Sequence, residues 1–98
     1  MMAAARAALE QLAADGWRFQ AAIVDATSGA GKDSTAHMNL RQMAWHQQEL
    51  ARRGLLAGGA RRIAHHFSHN GTPPYEELSA LLAPDAIEPS YDGMVVIL

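Results

Sequence analysis

Ile63-Ala64-His65-His66-Phe67-Ser68-His69-Asn70 sets three histidines within five positions, where an apolar strand gives way to a loop. A second stretch, Ile23-Val24-Asp25-Ala26-Thr27-Ser28-Gly29, has the same form: a short apolar strand closing on a carboxylate. Imidazole is the commonest metal ligand and the one side chain that ordinarily changes charge near neutral pH. Two strands whose carboxyl ends carry ligand-type residues predict one edge of a metal-dependent site on an α/β sheet.

The remaining chain supplies the helices that such a sheet needs. Ala3 to Ala14 reads as a helix, with Ala5, Leu9, Leu12 and Ala13 near helical spacing and Gly16 at the C′ position. Trp17 to Asp25 reads as a strand with Ile23 and Val24 at its buried centre, and Ala26 to Ala36 as a loop of small and polar residues. Asn39 is the expected N-cap of a second helix, with Gln42 at the N3 position of a capping box. Its apolar stripe is Leu40, Met43, Ala44, Leu50 and Ala51, and Gly54 stops it.

Gly58-Gly59 reads as the close of a loop before a strand from Arg61 to His65. Thr72-Pro73-Pro74 opens a third helix running through Leu82. The threonine suits a cap, the prolines suit the first turn, and Glu76 and Glu77 complement the positive helix end. Pro84 ends that helix. Ile87 and Met94 to Leu98 are two further strand candidates, separated by a turn at Tyr91-Asp92-Gly93. The order αβαβαββ predicts α/β layers with parallel strands, because a helix bridges each early strand pair.

Composition narrows the function classes. A chain of 98 residues is one domain, and folding buries about 65% of its extended-chain surface, so the core is modest. The chain is 49% hydrophobic, but much of that is alanine, which fills little core volume. A formal charge of −2 argues against a nucleic-acid partner, and the pairs Arg52-Arg53 and Arg61-Arg62 read as solvated faces. The lack of cysteine removes disulfide frameworks, cysteine–zinc sites and thiol nucleophiles, and fits a cytoplasmic protein. The longest apolar run, Met94 to Leu98, is strand-sized and far from the roughly 18 residues of a membrane span. The first residues, Met1 to Arg6, lack the apolar core and cleavage site of a leader.

Gly29-Ala30-Gly31-Lys32-Asp33-Ser34 imitates a phosphate-binding loop without being one. That pattern needs an earlier glycine where Ala26 stands, and a hydroxyl residue directly after lysine where Asp33 stands. Asp25 sits where open α/β sheets bind ligands, and it suits metal bridging, base catalysis or capping of the Thr27-Ser28 turn. His66 and His69 suit metal ligation or a polar loop satisfied by backbone carbonyls. Zinc needs three or four protein ligands, a count that Asp25, His66 and His69 just reach. His37, just before the Asn39 helix, suits either a phosphate contact or a second cap. His46 reads as an ordinary surface or half-buried histidine, and Trp17, Phe19 and Trp45 as core or core-edge aromatics.

Four segments occur in a telling order: Val24-Asp25-Ala26-Thr27-Ser28-Gly29, His37-Met38-Asn39-Leu40, Ala64-His65-His66-Phe67-Ser68-His69-Asn70 and Tyr91-Asp92-Gly93-Met94. Together they resemble the carboxyl-terminal half of metallo-β-lactamase-fold hydrolases. The branch they most resemble is the phosphoribosyl cyclic-phosphate phosphodiesterases of carbon–phosphorus lyase pathways. The resemblance covers about Trp17 to Leu98.

The resemblance implies half of an αββα sandwich: one sheet with about three helices, in a single partial domain spanning the chain, with residues 1–16 as a leading helix. It also implies a binuclear zinc or manganese site that hydrolyses a small phosphate ester. On that resemblance Asp25 corresponds to the carboxylate bridging the metals, and His66 to the last metal-binding histidine. His69 and Asn70 correspond to substrate-side residues, and His37 to a histidine near the substrate phosphate, so that His37 and His69 are the implied catalytic residues. The family's His-x-His-x-Asp-His cluster is not among the 98 residues, whose histidines are His37, His46, His65, His66 and His69. Without it, metal-activated water is not expected, and a companion chain or a second copy of this one is left to supply the other half.

Overall fold

A computed structural model describes residues 3–27, 38–67 and 72–98, with the side chain of Ala3 set aside. Among these, the elements are α1 (Ala3–Ala14), β1 (Phe19–Asp25), α2 (Leu40–Arg52), β2 (Leu56–His65), α3 (Tyr75–Leu82), a single 3₁₀ turn (Ala83–Asp85) and β3 (Glu88–Pro89). The strands form one sheet in the order β1-β2-β3, and both pairings are parallel. The α/β class, the parallel sheet and the three helices expected from the sequence are therefore present.

Each helix hands the chain to its strand by the same device. After α1, Gly16 turns into the left-handed region (φ 84°), its amide meets the carbonyl of Ala13 at 3.1 Å, and the Trp17 amide meets that of Leu12 at 3.1 Å. After α2, Gly54 (φ 73°) repeats this with Ala51, while Leu55 bonds back to Leu50. This double closure satisfies carbonyls that the helix end leaves open. The third instance is made by alanine: Ala86 (φ 58°) bonds to Ala83, and Ile87 to Leu82. A Cβ disfavours that conformation by about 1–2 kcal/mol, part of which glycine returns as unfolded-state entropy. Ala86→Gly is thus expected to stabilise the fold by about 0.5–1 kcal/mol in urea unfolding; a lower midpoint would contradict this account of the turn.

At the other end of α2 the capping box is complete. The Asn39 side chain accepts from the Gln42 amide at 2.8 Å, and the Gln42 side chain accepts from the Asn39 amide at 2.9 Å. In α3 the expected cap is not used. Pro74 occupies the N-cap position with no side-chain bond, and the Thr72 hydroxyl is buried with no partner among the described residues.

Helices α2 and α3 lie on one face of the sheet. Ala26, Met43, Ala64, Leu78, Leu82 and Ile87 form the buried cluster there, with Val24, Leu40, Ala44 and Phe67 packed against it. Strand side chains alternate between faces, so Ala22 and Val24 turn inward and Ile23 turns away. Ile23 was expected at the buried centre, yet it is 60% exposed on the outer strand β1, while its partner Ile63 on the central strand is 2% exposed. Trp17, expected in or beside the core, is also exposed, since it follows the Gly16 turn before β1 begins at Phe19.

Three other expectations are corrected. Strand β2 starts at Leu56, so Gly58-Gly59 lies within it and not in a loop. Between the pairs Phe19↔Leu56 and Ala21↔Arg61 the longer strand bulges, and Gly59 adopts φ 76°, which glycine permits. Ile87 is not itself a strand residue; the strand is Glu88–Pro89, just after it. Met94 to Leu98 is not a strand, because after the turn that closes with the Met94 amide on the Tyr91 carbonyl it meets no ladder partner among the described residues. Ile97 there is 85% exposed.

A buried amide ties the helix layer to the sheet. Gln47 of α2 is fully buried, and its Nε2 donates to the carbonyls of Ala22 (2.9 Å) and Ile63 (3.3 Å), one on each of two adjacent strands. The arginine pairs are engaged within the molecule. Arg52 and Arg53 both bond Glu49, Arg61 grips Glu88 of β3, and Arg62 donates to the Asp85 carbonyl. The hydrogen bond from Arg52, reinforced by Arg53, holds the Glu49 carboxyl down at about 2.

Half-buried His46 has its pKa lowered, chiefly by burial. A group whose folded pKa lies below its unfolded value favours folding less as pH falls through that unfolded value, about 6.5. Stability is therefore expected to drop between pH 8 and pH 5.5. In His46→Asn the drop is expected to be smaller, as comparative urea titrations at the two pH values would read. An identical drop in both proteins would remove His46 from the account.

Candidate functional site at the carboxyl edge of the sheet

Strands β1 and β2 run in register from Ala21↔Arg61 to Asp25↔His65, so their last residues emerge side by side. The Ala26 amide adds a final rung to the His65 carbonyl at 2.8 Å. Beyond it both chains turn away, as strand ends do at the ligand-binding edge of open α/β sheets.

Asp25 organises this edge by accepting hydrogen bonds. Its Oδ1 receives the Thr27 amide at 3.1 Å and also the Thr27 hydroxyl. Its Oδ2 receives the Met38 amide at 3.2 Å, directly before the Asn39 cap of α2. The capping reading of Asp25 is thus realised, and extended from the Thr27 turn to the entrance of the second helix. An aspartate bonding its own backbone two residues on is a common way to form such a turn.

His66 completes the cluster. It lies one residue past β2 at φ 64°, a region that a non-glycine residue enters at a cost and that gathers at functional sites. There its Nδ1 stands 2.5 Å from the Thr27 hydroxyl and 3.5 Å from Asp25 Oδ1. The ring is 67% exposed, whereas the Asp25 side chain is 30% exposed. His65 turns elsewhere. Its Nδ1 is 2.7 Å from the Ser90 hydroxyl, beyond β3, and its ring centroid is 6.5 Å from that of His66.

Of the four site residues expected from the sequence, Asp25 and His66 are brought together, whereas His37 and His69 lie outside the described residues, as do Asn70 and the glycine-rich stretch from Gly29 to Ser34. Thr27, which joins Asp25 to His66, was expected only as a capped turn residue. Its signal was present in the Asp-x-Thr spacing. A carboxylate oxygen and an imidazole nitrogen are the right donor types for zinc or manganese. Among the described residues, no group of three or more histidine, cysteine, aspartate or glutamate side chains suited to a metal occurs. Carboxylate, hydroxyl and imidazole form a hydrogen-bonded chain at this edge.

Between α2 and α3 runs a separate groove of about 440 Å³, lined chiefly by Leu40, Ala44, Trp45 and Leu81, with none of the Asp25 cluster in its walls. No described helix is long and apolar enough to cross a membrane. Compared with family models, with curated proteins and with solved structures, the chain finds no match.

Proposed function

We propose that this chain is the carboxyl-terminal portion of a metallo-β-lactamase-fold, metal-dependent hydrolase, whose parent activity is phosphodiester hydrolysis by metal-activated water. The observation that carries this reading is the meeting of Asp25 and His66, 3.5 Å apart, at the carboxyl ends of adjacent parallel strands. Zinc or manganese is the metal proposed, a small phosphate ester the substrate, and the cytoplasm the setting. The 98 residues contain no His-x-His-x-Asp-His cluster, so by themselves they are proposed to turn nothing over. Calorimetric titration with Zn²⁺ is expected to give weak binding that disappears in His66→Ala. With Mn²⁺ present, bis(p-nitrophenyl) phosphate is expected to stay intact. Turnover abolished by Asp25→Ala would overturn the claim that these residues are inactive alone.

A second reading is a non-catalytic α/β interaction module derived from the same scaffold. It is favoured by Ile23, which is exposed on a parallel sheet although such sheets are usually covered on both faces. On this reading no heat of metal binding appears, and a second copy or a companion chain covers Ile23. Sedimentation is then expected to show self-association that Ile23→Lys removes.

A further inference from the structure

The cluster at the sheet edge fixes more than the positions of its side chains. A threonine hydroxyl carries one proton and can accept through its lone pairs. At Thr27 that proton goes to Asp25 Oδ1, because an ionised carboxylate only accepts. The contact between the Thr27 hydroxyl and His66 Nδ1 at 2.5 Å therefore needs its proton from the ring. Were Nδ1 bare, either the threonine would turn its proton to the imidazole and leave two oxygen lone pairs facing each other at hydrogen-bond distance, or Asp25 would have to be protonated.

We propose that Thr27 is a positioning residue that holds neutral His66 as the Nδ1–H tautomer, so that Nε2 carries the basic lone pair. The relay runs from His66 Nδ1–H to Thr27 Oγ1, and from Thr27 Oγ1–H to Asp25 Oδ1. His66 makes these contacts from a left-handed backbone (φ 64°), with Nδ1 3.5 Å from Asp25 Oδ1. Which ring nitrogen serves as ligand or base is set by the bond that the other makes. On the hydrolase reading, Nε2 is thus the ring atom that would meet a divalent cation. The tautomer stands on the geometry alone; its use toward a cation rests on the hydrolase reading.

Long-range proton–nitrogen NMR correlation of the full chain at pH 8 tests the assignment directly. His66 is expected to show a pyrrole-type Nδ1 and a pyridine-type Nε2. Thr27→Val keeps the shape and removes the hydroxyl, and it is expected to shift His66 toward the Nε2–H form that imidazole ordinarily favours in water. Thr27→Ser is expected to restore the parent pattern. An Nε2–H tautomer in the parent chain overturns the proposal, as does an Nδ1–H tautomer that persists in a folded Thr27→Val. If the valine variant does not fold, the parent and serine spectra still decide. A Zn²⁺ titration that leaves the His66 signals unmoved, in a chain showing the Nδ1–H form, would sink the hydrolase reading and leave the tautomer standing.

Discussion

Replacing Gln47 with glutamate is expected to destabilise the fold by about 3 kcal/mol or more at pH 7, a large share of the roughly 5–15 kcal/mol that a small domain has in total. The native Nε2 reaches two strand carbonyls, Ala22 and Ile63, from a fully buried position. Glutamate has nearly the same shape, but when ionised it offers no proton and sets a negative charge against both oxygens. Burial and those carbonyls raise its folded pKa above the unfolded value of about 4.3. The penalty should therefore be small below that pH and grow as pH rises through it. Gln47→Leu fills the space without a charge and is expected to lose only about 1 kcal/mol. Urea midpoints at pH 4 and pH 7 separate these cases. Equal losses for both variants at both pH values would mean that the amide's donor is not what matters.

Asp25→Asn is expected to have the next largest effect, about 2 kcal/mol, although it changes one atom. Both carboxylate oxygens accept, one from Thr27 and the other from the Met38 amide. An asparagine has only one acceptor oxygen, so its NH₂ group must face a donor whichever way it flips. Bonds to a charged acceptor contribute about 1.5–3 kcal/mol, and a confronted donor costs a similar amount. Amide exchange should locate the loss. Protection of the Met38 amide is expected to fall while that of Gln42, held by Asn39, stays unchanged. A uniform fall across α2 would show that Asp25 supports the helix as a whole and not its entrance.

Much of the frame could be read from local chemistry. Gly16 and Gly54 marked helix ends because only a residue tolerant of positive φ closes such a turn easily, and Asn39 with Gln42 spelled out a reciprocal cap. The parallel sheet followed from the alternation of helix and strand. Ala86 is not legible in this way, because alanine carries no sequence sign of a left-handed conformation. Gln47 stands on the same stripe as Met43 and Leu50, but a polar residue there reads as surface until its two carbonyl partners are seen. Ile23 looked like core because hydrophobicity reports the wish for burial and not the presence of a cover.

At the candidate site, the sequence sets Asp25 and His66 at the ends of two strands, but their meeting depends on the in-register pairing of β1 and β2 and on the left-handed turn at His66. Thr27's part divides likewise. Its hydroxyl bonds Asp25 two residues back in the chain, and His66 thirty-nine residues away. The first partner is local and legible; the second exists only once β1 and β2 have paired.

The strand order also leaves the two borders of the sheet unequally guarded against growth. At the β3 side, the border is two residues long and one of them is Pro89, which has no amide proton to offer a newcomer. At the β1 side, Phe19–Asp25 presents a seven-residue row of backbone donors and acceptors with neither proline nor lysine in it, and no described element pairs with its outer side. Any sheet extension, whether by a companion that completes the structure or by unwanted fibre-like stacking, would therefore begin along β1.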